Sequence, residues 1–298
     1  MKSVLVCITS FFLWSCSDGN LPLEKSLLEA DIGTLVKSTL SVESDSVNIY
    51  QEIAFESLVK DTIRLANGLQ LSKVNEQYVC GDILLSDKQV ELLAKKNVSR
   101  GISISELSQI WQDKVVYFVF ASNVSLEDQN IIYDAMYEWE SACNILFRVG
   151  QGSGDYIEII IGNGSYSNLG RIGGKQTLSL SIAGWNKGTV MHELGHALGM
   201  LHEHQHPMRD NYIIVNERNI QIPARDQFDI WPYGYASSKF DFDSIMMYGS
   251  YAYSRNNQPT MTKKDGTTWT ANRSYITFND QLVVMNLYGH YLPPGPIG

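Results

Sequence analysis

The sequence predicts an α+β domain, a mixed sheet with one functional helix, preceded by an export signal and a leader segment. Three observations carry this. Strand-like and helix-like apolar patterns alternate from Val115 to Gly199. Three histidines crowd the end of the last helical pattern, from His192 to His202. The N-terminus is a short apolar run behind a lysine.

That run, Val4 to Trp14 after Lys2, is too short for a stop-transfer helix and reads as a secretory signal over residues 1–16. Its end, Leu13-Trp14-Ser15-Cys16, resembles a bacterial lipoprotein cleavage box with Cys16 as the lipidated residue. The alternative is an ordinary signal cut nearby, with Cys16 incidental. Either way the destination is secreted or extracellular. Residues 17–100 form the leader. Within it Glu24 to Ala30 and Asp87 to Lys96 have helical spacing, and Gly81-Asp82 implies a turn. Lys95 to Gly101 is basic, polar and turn-prone, a natural place for a protease to cut between Arg100 and Gly101.

Residues 101–298 form the main domain. Val115 to Ala121 reads as a strand. Ser125 to Ser141 reads as an amphipathic helix that Ser125 can cap, with Ile131, Ile132, Ala135, Met136 and Trp139 as its apolar face. Ile145 to Val149 and Tyr156 to Ile161 are strands, and Gln176 to Ile182 is a strand expected at a sheet edge. A helix starts near Lys187 to Thr189 and runs to Gly199. The last hundred residues look irregular until a final helix at Asn279 to Leu287. With 298 residues, 44% of them hydrophobic, the chain can bury a sizeable core. A net charge of -9 is not that of a chain that tracks a phosphate backbone, so no nucleic-acid partner is expected. Cys80 and Cys143 are the only cysteines beyond the signal, which is no disulfide framework.

The chemistry concentrates in Thr189 to Glu203. His192 and His196 are four apart, so a helix stacks both imidazoles on one face, where they can share an ion. Glu193 sits beside the first and can take a proton from an attacking water. Gly199 lets the chain turn, and His202 can then swing back as a third ligand. Three imidazoles leave positions open, which favours a catalytic site over a structural one. A bare His-Glu-x-x-His also occurs in unrelated helices; the third histidine after a glycine makes this pattern far more specific.

Downstream lies Ser244-Ile-Met-Met-Tyr248. A methionine in a tight turn after an extended zinc-helix motif is the metzincin pattern. Together with Pro207 to Tyr212, Gly170 to Gln176 and Ile110-Trp111, these residues resemble the astacin family over nearly all of Gly101 to Tyr291, most of all its bacterial members. The resemblance implies a metzincin fold and a zinc-dependent endopeptidase with one catalytic ion. It implies Met246 as the turn methionine beneath the ligands. It implies Tyr248 as a phenol that coordinates at rest and donates to the oxyanion in turnover. It implies Glu203 as the partner of the mature N-terminal amine. A peptide substrate would lie extended along the strand at Lys175 to Ser181. The competing class, a metal-bearing binding domain without turnover, leaves Glu193 without a purpose.

The family's disulfide positions fall here on Cys143 with His290 and on Ser165 with Trp185, so no disulfide and one free thiol are expected in the main domain. Met247 stands where the family commonly has histidine. His204 and His206, extra histidines, are expected on the surface. In the leader, Tyr78 to Leu84 resembles the family's propeptide motif, whose aspartate after glycine blocks the zinc; Asp82 holds that position. A thiolate is the softer zinc ligand, so Cys80 is the expected blocking ligand and Asp82 its alternative. The partners that follow are protein substrates, the chain's own propeptide as inhibitor, and an activating protease.

Overall fold

The computed structural model describes residues 61–65, 68–74, 77–94, 110–231 and 239–289. The signal, Cys16, the helix expected at Glu24 to Ala30, the Arg100–Gly101 junction and His290 lie outside these residues. Among those described, no helix is long and apolar enough to cross a membrane.

The leader contributes four short strands, β1 (Asp61–Arg64), β2 (Gln70–Val74), β3 (Gln77–Cys80) and β4 (Ile83–Leu85), then helix α1 (Asp87–Ala94). The main domain contributes β5 (Val115–Phe120), α2 (Leu126–Cys143), β6 (Leu146–Val149), β7 (Tyr156–Gly162), β8 (Tyr166–Asn168), β9 (Lys175–Ser181) and α3 (Lys187–Ala197). A run of 3-10 turns follows. A two-stranded sheet of β10 (Ile213–Val215) and β11 (Met261–Lys263) and helix α4 (Phe278–Tyr288) complete it.

One nine-stranded sheet runs β1-β2-β3-β4-β8-β9-β7-β5-β6. The leader therefore shares a sheet with the main domain, through a parallel join of β4 to β8 that pairs Ile83 with Ser167 and Leu84 with Asn168. The strand expected at an edge, β9, is interior: β8 lies antiparallel on one side and β7 parallel on the other. Its burial explains the difference, since Leu178 to Ser181 are all buried and leave no solvent face. Without the leader the edge is β8.

Helix α2 begins with a reciprocal cap, in which Ser125 accepts from the Asp128 amide and the Asp128 carboxylate accepts from the Ser125 amide. Its apolar face buries Ile132, Ala135, Met136 and Trp139 against α3, and the Trp139 indole donates to the Met191 carbonyl at 2.9 Å. Asn186 caps α3 through the Thr189 amide. At Gly188 a Cβ would collide with the Arg273 carbonyl, so only glycine lets that backbone cross here. Helix α4 is capped by Thr277 and opens at Phe278, one residue ahead of the expected start at Asn279.

Asp280 does more than complete that cap. Its buried carboxylate accepts from the Ser244 hydroxyl at 2.6 Å, the Ile245 amide at 2.9 Å and the Thr277 amide at 2.9 Å. Burial pushes its pKa up, and these donors oppose the rise. One side chain thus ties α4 to the Ser244–Tyr248 turn. Asp280→Ala removes a cap and leaves buried donors unmet, so the unfolding free energy should fall by about 2–4 kcal/mol in urea titrations. A loss below about 0.5 kcal/mol would separate the turn from the helix cap.

Candidate metal centre

Helix α3 presents His192 and His196 one turn apart, as their spacing predicts. The helix closes at Ala197, Gly199 takes φ +103°, and the chain reverses to bring His202 alongside. The His196 and His202 Nε2 atoms stand 3.2 Å apart, and all three rings are at most 1% exposed. Two lone pairs that close have no proton to share in the neutral form, which is the geometry of a shared metal ligand set.

Each ring is oriented through its other nitrogen. His192 Nδ1 donates to the Ile245 carbonyl at 2.8 Å, His196 Nδ1 donates to the Met200 carbonyl at 2.8 Å, and His202 Nδ1 faces Gln205 Oε1 at 3.3 Å. These contacts fix the tautomers so that the Nε2 lone pairs converge. Burial pushes His192 down to about 3, and burial also lowers His202. Both rings are neutral and able to ligate at neutral pH.

A fourth donor enters from the leader. Asp82 Oδ1 lies 2.8 Å from His202 Nε2 and 3.3 Å from His196 Nε2, and Oδ2 lies 3.3 Å from His192 Nε2. Burial alone would raise this carboxyl. The His202, His192 and His196 rings override it and hold Asp82 well below the usual carboxylate range. Neither Asp82 oxygen nor His192 Nε2 has a hydrogen-bond partner, although all three are buried. Their ligand atoms, with those of the other two histidines, fall within 4.8 Å of one another. Three converging imidazole nitrogens and one carboxylate oxygen, with orphaned buried atoms among them, fit a tetrahedral zinc site.

The structure departs from expectation at Cys80. Its sulfur is not among the converging atoms; it is buried and accepts from Gln205 Nε2 at 3.5 Å. Burial, then the nearby Asp226, pushes its thiol up, which favours the protonated form. Cys80 and Ile83 form the last pair of the β3–β4 hairpin, which turns Cys80 into the core and leaves Gly81-Asp82 as the loop that reaches the imidazoles. Both described cysteines, Cys80 and Cys143, are free thiols.

The remaining site residues lie around this centre. Glu193 is 1% exposed on α3. Met246 lies under the helix: a Cβ at Gly195 would meet its sulfur at 2.6 Å. Glu203 is buried and accepts from the Asp241 amide at 2.8 Å. Tyr248 packs its ring 4.4 Å from that of His202. His204 and His206, expected on the surface, are both buried. The 3-10 turns after His202 fold the chain back over them, and His204 stacks on Tyr248 at 4.1 Å. The run Glu203-His-Gln-His206 is polar throughout and gives no periodic apolar signal by which that burial could be read.

A family model described as Astacin, a peptidase family, matches residues 103–289. The chain is 33% identical over 191 residues to zinc metalloproteinase nas-15 of Caenorhabditis elegans, an alignment that covers 63% of this chain and 34% of that protein. It is 31% identical over 212 residues to astacin-like metalloprotease toxin 1 of Loxosceles intermedia, covering 70% of this chain and 75% of the toxin. Among solved structures, high choriolytic enzyme 1, a hatching enzyme zinc-protease from Oryzias latipes, aligns with a TM-score of 0.57 at 28% identity, over 61% of this chain and 93% of that one. A structure of myroilysin aligns with a TM-score of 0.46 at 22% identity, over 61% of this chain and 97% of that one. Because the family model covers most of the chain, including His192, His196 and His202, the chain belongs to the astacin family of zinc metalloproteinases, with one zinc ion as its cofactor.

Proposed function

We propose that this chain is a latent endopeptidase, held inactive by its own leader through Asp82 and activated by cleavage near Arg100–Gly101. The observation that carries the reading is Asp82 set among His192, His196 and His202. A bound zinc supplies a Lewis acid that polarises a scissile carbonyl and lowers the pKa of water. Glu193, next to His192, takes the proton from the attacking water and returns it to the leaving amine. The Tyr248 phenol donates to the negative charge that develops on the carbonyl oxygen. Substrate takes the place of β4 at the β8 edge and adds a strand to the sheet.

While β4 holds that edge and Asp82 fills the open coordination position, neither substrate nor water can enter. Cleavage releases residues 1–100, opens β8, and frees an amine that meets Glu203. The export signal at 1–16 sends the precursor out of the cell. If Cys16 carries lipid, the anchor stays with the leader and cutting releases a soluble enzyme.

The test uses the full chain, purified with zinc and assayed on denatured casein before and after limited trypsin, with and without a chelator. Hydrolysis should appear on cutting and vanish with chelator. A cut chain that is folded and zinc-loaded yet inactive would overturn the reading. Glu193→Gln should lower kcat by about a hundredfold or more while zinc content stays at one per chain; unchanged kcat removes Glu193 from the mechanism. In the uncut precursor, Asp82→Ala should leak activity and Cys80→Ala should remain latent. The reverse pattern would return the switch to the thiol.

A further inference from the structure

We infer that His204 is a positioning residue that fixes the Tyr248 phenol beside the metal centre. This rests on the reading that Tyr248 takes part in turnover. The two rings stack with centroids 4.1 Å apart and planes 22° apart. His204 has no exposed surface. Tyr248 thus packs against both His204 and His202, whose ring lies 4.4 Å away, and the two histidine rings are themselves 5.2 Å apart, so the three form one cluster.

His204 is itself anchored. Its Nε2 lies 2.9 Å from the Gln227 carbonyl, an acceptor, so Nε2 carries the proton and Nδ1 does not. That Nδ1 is buried without a hydrogen-bond partner. The ring therefore makes one polar contact and otherwise offers a flat face. Its backbone is fixed as well: Arg209 donates to the His204 carbonyl at 3.0 Å and, through the same Nη1, to the Phe228 carbonyl. The segment carrying His204 is so tied to the turn carrying Gln227 and Phe228.

The consequence for Tyr248 is directional. A Cβ at Gly81 would come within 2.9 Å of the Tyr248 hydroxyl and 3.5 Å of His202 Cε1, so the phenol oxygen points into the cleft beside Asp82. A flat neighbour resists tilting of the phenol ring but permits sliding in its own plane. His204 thereby selects the plane in which the hydroxyl can reach a reacting carbonyl. An aliphatic side chain of similar size would fill the space without setting that plane.

The experiment compares trypsin-activated wild type, His204→Leu, His204→Phe, Tyr248→Phe and the His204→Leu/Tyr248→Phe double variant, with kcat, KM, zinc content and thermal midpoint measured for each. Tyr248→Phe should lose kcat by about tenfold or more. His204→Leu should lose kcat by about tenfold, with KM and zinc content unchanged. His204→Phe, which restores a flat face, should recover most of the loss. In the Tyr248→Phe background His204→Leu should cost nothing further. An undiminished loss in that background, or a His204→Phe variant as poor as His204→Leu, overturns the inference while leaving the protease reading intact. If His204→Leu loses its fold or zinc, His204→Phe decides: normal zinc with near-normal kcat supports the inference, and normal zinc with about a tenfold loss overturns it. A Tyr248→Phe enzyme with normal kcat fails at the earlier step and takes the inference with it.

Discussion

The structure depends on three imidazoles converging in a place that water does not reach. Such a cluster is unfavourable unless each ring has an acceptor for its outer N–H and an ion for its inner lone pairs. The acceptors come from three different places: the Ile245 carbonyl, the Met200 carbonyl and the Gln205 side chain. Two backbone turns and one side chain must therefore be held in register with α3. That requirement explains why so much of the main domain is irregular. Regular helix or strand would satisfy those carbonyls internally, leaving them unavailable to the rings.

The buttresses follow from it. Asp280 holds the amide of Ile245, while the carbonyl of the same residue receives His192. Arg273 Nη1 donates to that carbonyl at 2.9 Å from the other side. Helix α3 is fixed at both ends of the ligand segment, by the Trp139 indole on Met191 and the Trp111 indole on Ala197, at 2.9 Å each. The Gly170 amide adds a bond to the His196 carbonyl at 2.8 Å, which ties the end of β8 to the ligand helix. The strand edge that would receive substrate and the helix that would act on it are thus one rigid body over a few residues.

Much of this was legible in the sequence. Four-residue spacing and a following glycine are local rules, and they place His192, His196 and His202 without tertiary information. Strands β5 and β7 and helix α2 were readable from periodicity and a capping serine for the same reason. What could not be read depended on neighbours distant in sequence. The pattern of β9 alternates like an edge strand, but β8 covers it because the chain doubles back between Gly162 and Lys175. His204 looks like a surface polar residue until the turn at 222–228 folds against it, and His206 until Phe240 packs edge-on to its ring.

The choice between Cys80 and Asp82 shows how geometry overrules ligand chemistry. A thiolate is the better match for zinc, and from sequence alone that preference is the only guide. The hairpin decides otherwise. Residues 80 and 83 are the closing pair, so Gly81 and Asp82 form a two-residue loop, with Gly81 at φ +67° in the first position where such turns favour glycine. Cys80 is then a strand residue facing the core, and Asp82 is the tip. Protonation reinforces the placement. Among buried apolar groups and near Asp226 the thiol's pKa is pushed up, whereas Asp82 beside the histidines is held well below the usual carboxylate range. A metal ligand must be both within reach and deprotonated, and within this hairpin only the carboxylate is both.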